Sequence, residues 1–284
     1  MIGAIIGDMV GSVYEFDNIK TTEFELITPD NNYTDDSVMT FAVADWLLND
    51  KNHTSEVLTD TFVWFAHNYP CPLGGYGGGF LHWLTYPETE CVNVVREDGS
   101  VRHVIKEIRK PYNSWGNGSA MRVSGCIYAA KTLEEVKLLS RLVTEVTHNH
   151  EEGIKGAEAT AVAGWMALHG SSKDEIRDCI ARDYYALDFT LDSIRDTYRF
   201  NESCQNTVPQ AIEAFLESES FEDAIRCAIS IGGDSDTLGA ITGGIAEAYW
   251  GVPDALRGKA ITYLDERLLG ILERFEAKWP GRRA

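Results

Sequence analysis

Seven stretches of this chain carry apolar residues three and four positions apart, the spacing that lines up one face of an α-helix: Val38 to Leu48, Glu134 to Val146, Ile154 to Leu168, Val208 to Leu216, Phe221 to Ile231, Leu238 to Trp250 and Ala255 to Phe275. So many helices of ordinary length point to the all-α class. The exception is Val92 to Ile105, where Asp98-Gly99 stands between two valine-rich arms and matches a short hairpin turn. With 284 residues, 44% of them hydrophobic, the chain can fill a sizeable core. No Ser/Gly/Pro linker or charge block divides it, so the expectation is one domain over residues 1–284 with a small β-hairpin near 92–105.

Gly3, Gly7 and Gly11 recur every four residues and would form a stripe without side chains on a helix, with Glu15 next in the row. Gly239 and Gly243 repeat the device, followed in register by Glu247. A glycine inside a helix costs roughly 1 kcal/mol relative to alanine, a loss that close helix packing or an approaching ligand would offset. The spacing alone leaves both open.

Composition removes several classes of function. Lys+Arg 25 against Asp+Glu 44 gives a formal charge of −19, which repels phosphate backbones and anionic lipid, so no general nucleic-acid binding is expected. No apolar run approaches the roughly 20 residues of a membrane helix, and Met1 to Val10 contains Asp8 with no basic residue before it, unlike a signal peptide. Cys71, Cys91, Cys126, Cys179, Cys204 and Cys227 form no C-x-x-C pair and suit reduced thiols in the cytoplasm. Zinc is disfavoured too, because His148 and His150 lack a Cys or Glu-x-x-His partner at helical spacing.

The chemistry concentrates at two acidic turns. Thr34-Asp35-Asp36-Ser37 stands directly before an apolar helix, as capping residues do, and Gly232-Gly233-Asp234-Ser235-Asp236-Thr237 leads from one helix into the next. Capping needs one oxygen. The second turn offers three oxygen-bearing side chains besides Ser235, and its glycines let the backbone approach an ion. With Glu15 available from a third helix, four aspartates and two threonines would make a hard, oxygen-rich site if they converged. Gathered carboxylates repel and take up protons unless divalent cations neutralise them, and Mg²⁺ or Mn²⁺ suits such ligands better than zinc. Two ions sharing a carboxylate would lie roughly 3.5–4 Å apart. The residues after Asp236 do not continue as an EF-hand.

Two glycine-rich loops, Gly74 to Gly79 and Gly116 to Ser119, lead toward helices. Their backbone N–H groups can hold a phosphate without a lysine, which would let an acidic protein bind an anionic nucleotide; an ordinary connecting loop is the alternative. Phe80 and Met121 stand where G-x-G-x-x-G needs its last glycine, and Asn117 where a G-x-S-x-G elbow around Ser119 needs its first.

Taken in order, Gly3 to Glu15, Thr34 to Ser37, Tyr76-Gly77, Gly116 to Arg122, Thr147-His148 and Gly233 to Thr237 resemble the ADP-ribosylglycohydrolase family over nearly the whole chain. That family of ADP-ribosyl-acceptor hydrolases includes the dinitrogenase reductase-activating glycohydrolase. The resemblance implies a compact all-α fold, an orthogonal multi-helix bundle, with a binuclear Mg²⁺ or Mn²⁺ site. It would give Thr34, Asp35 and Asp36 to one ion and Asp234, Asp236 and Thr237 to the other, with an aspartate bridging. Glu15, Asp35 and Asp234 become the candidate catalytic groups, Glu15 as a ligand or a gate. Backbone N–H groups of Gly77, Gly78 and Gly79, and of the turn from Gly116 through Asn117, Gly118 and Ser119 to Met121, would cradle a diphosphate, with Tyr76 and His148 beside them. Tyr76, Phe80 or Trp115 would stack on adenine, or else belong to the core.

The implied reaction is hydrolysis at C1″ of the distal ribose, whose 2″ and 3″ hydroxyls the ions would hold, through an oxocarbenium-like transition state. An aspartate of the cluster or Glu15 would serve as base, and the products would be ADP-ribose and the freed acceptor. Whether that acceptor is a protein or a small molecule stays open. Many bacterial relatives pass almost directly to the Pro111 to Ser114 segment, whereas this chain inserts Glu90 to Arg109, which would reshape the acceptor side of the cleft. Two other functions compete: an ADP-ribose-binding or structural relative without turnover, and a metal-dependent phosphohydrolase of a nucleotide.

Overall fold

Side-chain caps mark where most of the helices begin. In the computed structural model, which describes residues 1–282, the order is α1 (Ile2–Gly11), α2 (Asp35–Asn49), α3 (Ser55–Asn68), α4 (Gly78–Thr85), β1 (Glu88–Val95), β2 (Val101–Ile108), α5 (Ser124–Ala129), α6 (Leu133–Glu145), α7 (Glu151–Leu168) and α8 (Lys173–Asp183). There follow α9 (Leu191–Ile194), α10 (Val208–Glu217), α11 (Phe221–Ser230), α12 (Ser235–Trp250), α13 (Asp254–Ala260) and α14 (Glu266–Lys278). Thr34, Thr54, Thr132, Ser172, Ser220 and Asp265 each accept a backbone N–H of the first turn that follows. The class is all-α, with β1 and β2 the only strands among the described residues. They pair antiparallel from Glu88 opposite Ile108 to Val95 opposite Val101.

The centre of the core is α1 laid antiparallel along α12. Every residue of α1 is buried, its one polar side chain, Asp8, included. A methyl on Gly7 would stand 1.8 Å from the Gly239 carbonyl oxygen, one on Gly3 2.4 Å from that of Gly243, and one on Gly11 2.3 Å from that of Ser235. The two glycine stripes therefore face each other, and close packing is what they serve. Glu247 continues that register and accepts from Gly3 N at 2.7 Å. Around this pair, α7, α10 and α11 pack on α12, and α2 packs on α1, α3 and α14. Among the described residues no helix is long and apolar enough to cross a membrane.

Three expectations need correction. Ala255 to Phe275 is not one helix: a 3₁₀ turn, Ile261–Tyr263, separates α13 from α14, where the Tyr263 hydroxyl bonds Thr28 O and Asp265 caps the new helix. Three further helices, α3, α8 and α9, lie outside both the seven periodic stretches and the glycine motifs; α8 buries only Ile176 and Ile180 and announces itself instead by its Ser172–Glu175 capping box. Lastly, α1 ends at Gly11, so Glu15 sits in the turn beyond it rather than on a helix.

Candidate active site

Because α1 and α12 run antiparallel, the end of α1 meets the start of α12, and α2 begins beside both. Asp8, fully buried near the end of α1, ties them together. It accepts from Thr34 N at 3.0 Å, Thr34 Oγ1 at 2.7 Å, Ser37 N at 3.1 Å and the Ser37 hydroxyl. Asp35 and Asp36 are thereby held at the first turn of α2. On the other side, Gly232 and Gly233 adopt φ of 66° and 82°, the left-handed region that glycine enters freely, and turn the chain from α11 into α12. Asn18 clamps Gly233, accepting from its N–H at 2.7 Å and donating to its carbonyl at 2.9 Å. Asp234 then accepts from Asn117 Nδ2 at 2.7 Å, which joins this turn to the Gly116 loop.

The result is a cavity of about 440 Å³ lined by both the carboxylates and the glycine loops. Carboxylate oxygens of Glu15, Asp234 and Asp236 lie within 4.8 Å of one another, and Asp35, Asp36 and Thr237 share the lining. Burial, then the charge of Asp236, pushes Asp35, Asp36 and Asp234 well above the usual carboxylate range. The same causes raise Asp8 to about 7 and Glu15 to about 8. Asp36 Oδ2 and Asp236 Oδ1 are buried with no hydrogen-bond partner among the described residues. Orphaned oxygens in an all-carboxylate donor set fit hard divalent cations, which would satisfy both and replace the protons.

Most residues singled out from the sequence line this cavity: Glu15, Asp35, Asp36, Asp234, Asp236, Thr237, Tyr76, Gly77, Gly78, Gly79, Gly116, Asn117, Gly118, Met121 and His148. Two stand behind the lining. Thr34 directs its hydroxyl to Asp8 and accepts from Asp36 N, while Ser119 Oγ donates to Gly153 O at 2.8 Å. Of the three aromatics, Tyr76 and Phe80 are core residues, with the Tyr76 hydroxyl spent on Tyr69 O, whereas Trp115 is exposed in an adjoining hollow beside Tyr112 and Phe200. Asp8 and Arg122 were not among the site residues. Arg122 also lines the cavity, buried over the Phe62 ring at 4.6 Å.

The model of the ADP-ribosylglycohydrolase family matches residues 1–283. The chain belongs to the ADP-ribosylglycohydrolase family. Among relatives, the ADP-ribosylhydrolase ARH3 of Bos taurus is 28% identical over 89% of this chain and 84% of its own, and that of Mus musculus 27% identical over 89% and 83%. The ADP-ribosylarginine hydrolase Tri1 of Pseudomonas putida (strain GB-1) is 23% identical over 89% of this chain and 70% of its own. A solved structure described as an ADP-ribosylglycohydrolase-related protein complex shares the fold, with a TM-score of 0.68 over 97% of this chain and 95% of that one at 20% identity. The relatives carry ADP-ribosylhydrolase and ADP-ribosylarginine hydrolase as their names, so the family is one of hydrolases of ADP-ribosyl groups.

Proposed function

We propose that this chain, as one catalytic domain over residues 1–284, cleaves the C1″ N- or O-glycosidic bond between ADP-ribose and a protein or small-molecule acceptor, releasing ADP-ribose. The observation that carries this reading is that Asp36 and Asp236, each with a buried and unpartnered carboxylate oxygen, line one cavity together with glycine-rich backbone. Asp35 and Asp36 would hold one Mg²⁺ or Mn²⁺ ion, with Thr34 fixing that turn from behind through Asp8 and Asp36 N, and Asp234, Asp236 and Thr237 would hold the other. When bound, such ions would hold and orient the ribose hydroxyls, while the carboxylates around them would offset the positive charge that develops at C1″ as the bond breaks.

The remaining tasks fall to the chain itself. Asp36, Asp234 and Asp236 are buried, whereas Glu15 and Asp35 are half-buried at the solvent side. Water reaches those two, so they are placed to take its proton as it attacks C1″. Gly77 and Gly116 precede a helical turn with no side-chain cap, leaving the N–H groups of Gly78, Gly79 and Gly118 for diphosphate oxygens. His148 and Arg122 line the cavity there, and the exposed aromatics free to meet the base are Phe16 and Phe200 at the cavity and Trp115 in the adjoining hollow. Six free thiols accord with a cytoplasmic setting.

The test offers arginine-, serine- and thymidine-linked ADP-ribose and O-acetyl-ADP-ribose, with Mg²⁺ or Mn²⁺, and follows product. Free ADP-ribose is expected. AMP with ribose phosphate would mark a phosphohydrolase, and binding without product would mark a binding module.

A further inference from the structure

Arg122 and Thr147 form a buried relay with His148. Arg122 Nη2 donates to Val143 O at 3.0 Å and to Thr147 Oγ1 at 2.7 Å. Thr147 Oγ1 in turn lies 2.8 Å from His148 Nδ1. A guanidinium only donates, so one lone pair of the Thr147 hydroxyl is already taken. Its own proton has two places to go: His148 Nδ1 at 2.8 Å, or Thr144 O at 3.5 Å. Only the shorter contact has ordinary hydrogen-bond length. Nδ1 is therefore an acceptor, and the proton of the neutral imidazole sits on Nε2.

Nε2 has no hydrogen-bond partner among the described residues and faces the glycine turn. A Cβ on Gly118 would stand 3.3 Å from it, and one on Gly116 3.5 Å. Burial, then the charge of Arg122, holds the ring pKa well below the usual histidine range, so the ring carries a single N–H.

We propose that Arg122 and Thr147 are positioning residues that fix His148 with its proton on Nε2, so that a donor rather than a lone pair meets the diphosphate of the substrate. The opposite tautomer would aim a lone pair at an anion. The anion half of this inference rests on the functional reading of the cavity; the tautomer does not.

The experiment is a long-range ¹H–¹⁵N correlation spectrum of the full chain with steady-state kinetics beside it. In the wild type, Nδ1 of His148 should be pyridine-like and Nε2 pyrrole-like, without titration between about pH 6 and 8. Thr147→Val should release the tautomer and raise KM for an ADP-ribosylated substrate about tenfold with kcat little changed, and free ADP-ribose should bind correspondingly more weakly. Thr147→Ser should restore tautomer and KM together. A pyrrole-like Nδ1 in the wild type overturns the inference whatever the activity, and needs no variant to fold. So does a Thr147→Val chain with unchanged tautomer and KM. An Nε2–H ring in a chain that neither binds nor cleaves ADP-ribosyl compounds supports the relay and sinks the functional reading instead.

Discussion

The acidic cavity and the β1–β2 hairpin break the usual partition of side chains in opposite directions. In the cavity, Asp36, Asp234 and Asp236 are 2, 5 and 4% exposed, and two of them carry an unpaired oxygen. In the hairpin, Val95, Val101 and Ile105 are 69, 54 and 75% exposed. Scattered exposed valines cost little, whereas buried, unpaired carboxylates cost several kcal/mol each by general estimate. The fold restrains the cavity accordingly, through the bonds to Asp8 and the backbone contact of α1 with α12. The hairpin is anchored near its base, where Arg109 donates to Leu84 O at 3.1 Å and Lys110 pairs with Glu88 at 2.6 Å. The cavity is held together against its own electrostatics, whereas the hairpin asks no such restraint of the core.

The largest expected contrast lies in turnover. Asp236→Ala or Asp36→Ala should lower ADP-ribose release about a thousandfold, the scale for removing an electrostatic element from a reacting centre, while far-ultraviolet circular dichroism stays unchanged. Ile105→Ala, on the exposed hairpin face, should leave release within about twofold. An Asp236→Ala chain with full activity would remove the cavity from the chemistry.

Stability should divide the two regions next. Gly7→Ala puts a methyl 1.8 Å from the Gly239 oxygen, where only backbone can yield, so it should cost about 3 kcal/mol and lower the melting midpoint by about 10 °C. Gly99→Ala at the hairpin turn, with φ of 79°, should cost about 1 kcal/mol locally and leave the global midpoint in place. Equal shifts would mean that hairpin and core unfold together.

The same two regions show how far sequence reasoning reaches. Six of the periodic stretches fall on α2, α6, α7, α10, α11 and α12 because their apolar residues face one core, and Asp98-Gly99 announced the hairpin for a purely local reason. Ala255 to Phe275 misled because its break is made partly at long range, by Tyr263 on Thr28, although the Asp265 cap was there to be read. In the cavity, the acidic turns were legible because carboxylates exceed what capping needs. Asp8 was not, since one acid in an apolar helix reads as a stray polar residue until its donors are seen. Two of those donors are backbone N–H groups, to which side-chain patterns give no clue.

Proton linkage sharpens the contrast further. Burial and the charge of Asp236 raise Asp8 from 3.8 to about 7 and Glu15 from 4.5 to about 8. Between the ordinary and the raised value, the folded chain binds protons that the unfolded chain has lost. The stability these groups contribute is therefore complete below the ordinary values and is lost as pH rises through about 7 to 8. In chelator, the melting midpoint should fall by about 5 °C from pH 5 to 8, and Mg²⁺ or Mn²⁺ should flatten the curve by replacing the protons. A flat profile in chelator would mean the carboxylates are not packed together in solution.

The smallest effect is expected from cutting the hairpin out. Its ends join α4, whose Gly78 and Gly79 line the cavity, to Tyr112, whose ring would sit 2.9 Å from a Cβ on Gly79. Tyr112 itself is held beyond the hairpin by its N–H on Thr147 O at 3.0 Å, and a replacement for Glu88–Ile108 by a short Gly-Ser turn should keep Arg109 on Leu84 O. With that bond kept, the midpoint should move by about 1 °C and turnover of a small ADP-ribosylated compound should stay within about twofold. If turnover instead collapsed while the midpoint held, the hairpin would belong to the site, and its exposed valines would have to be read as substrate-facing rather than as harmless surface.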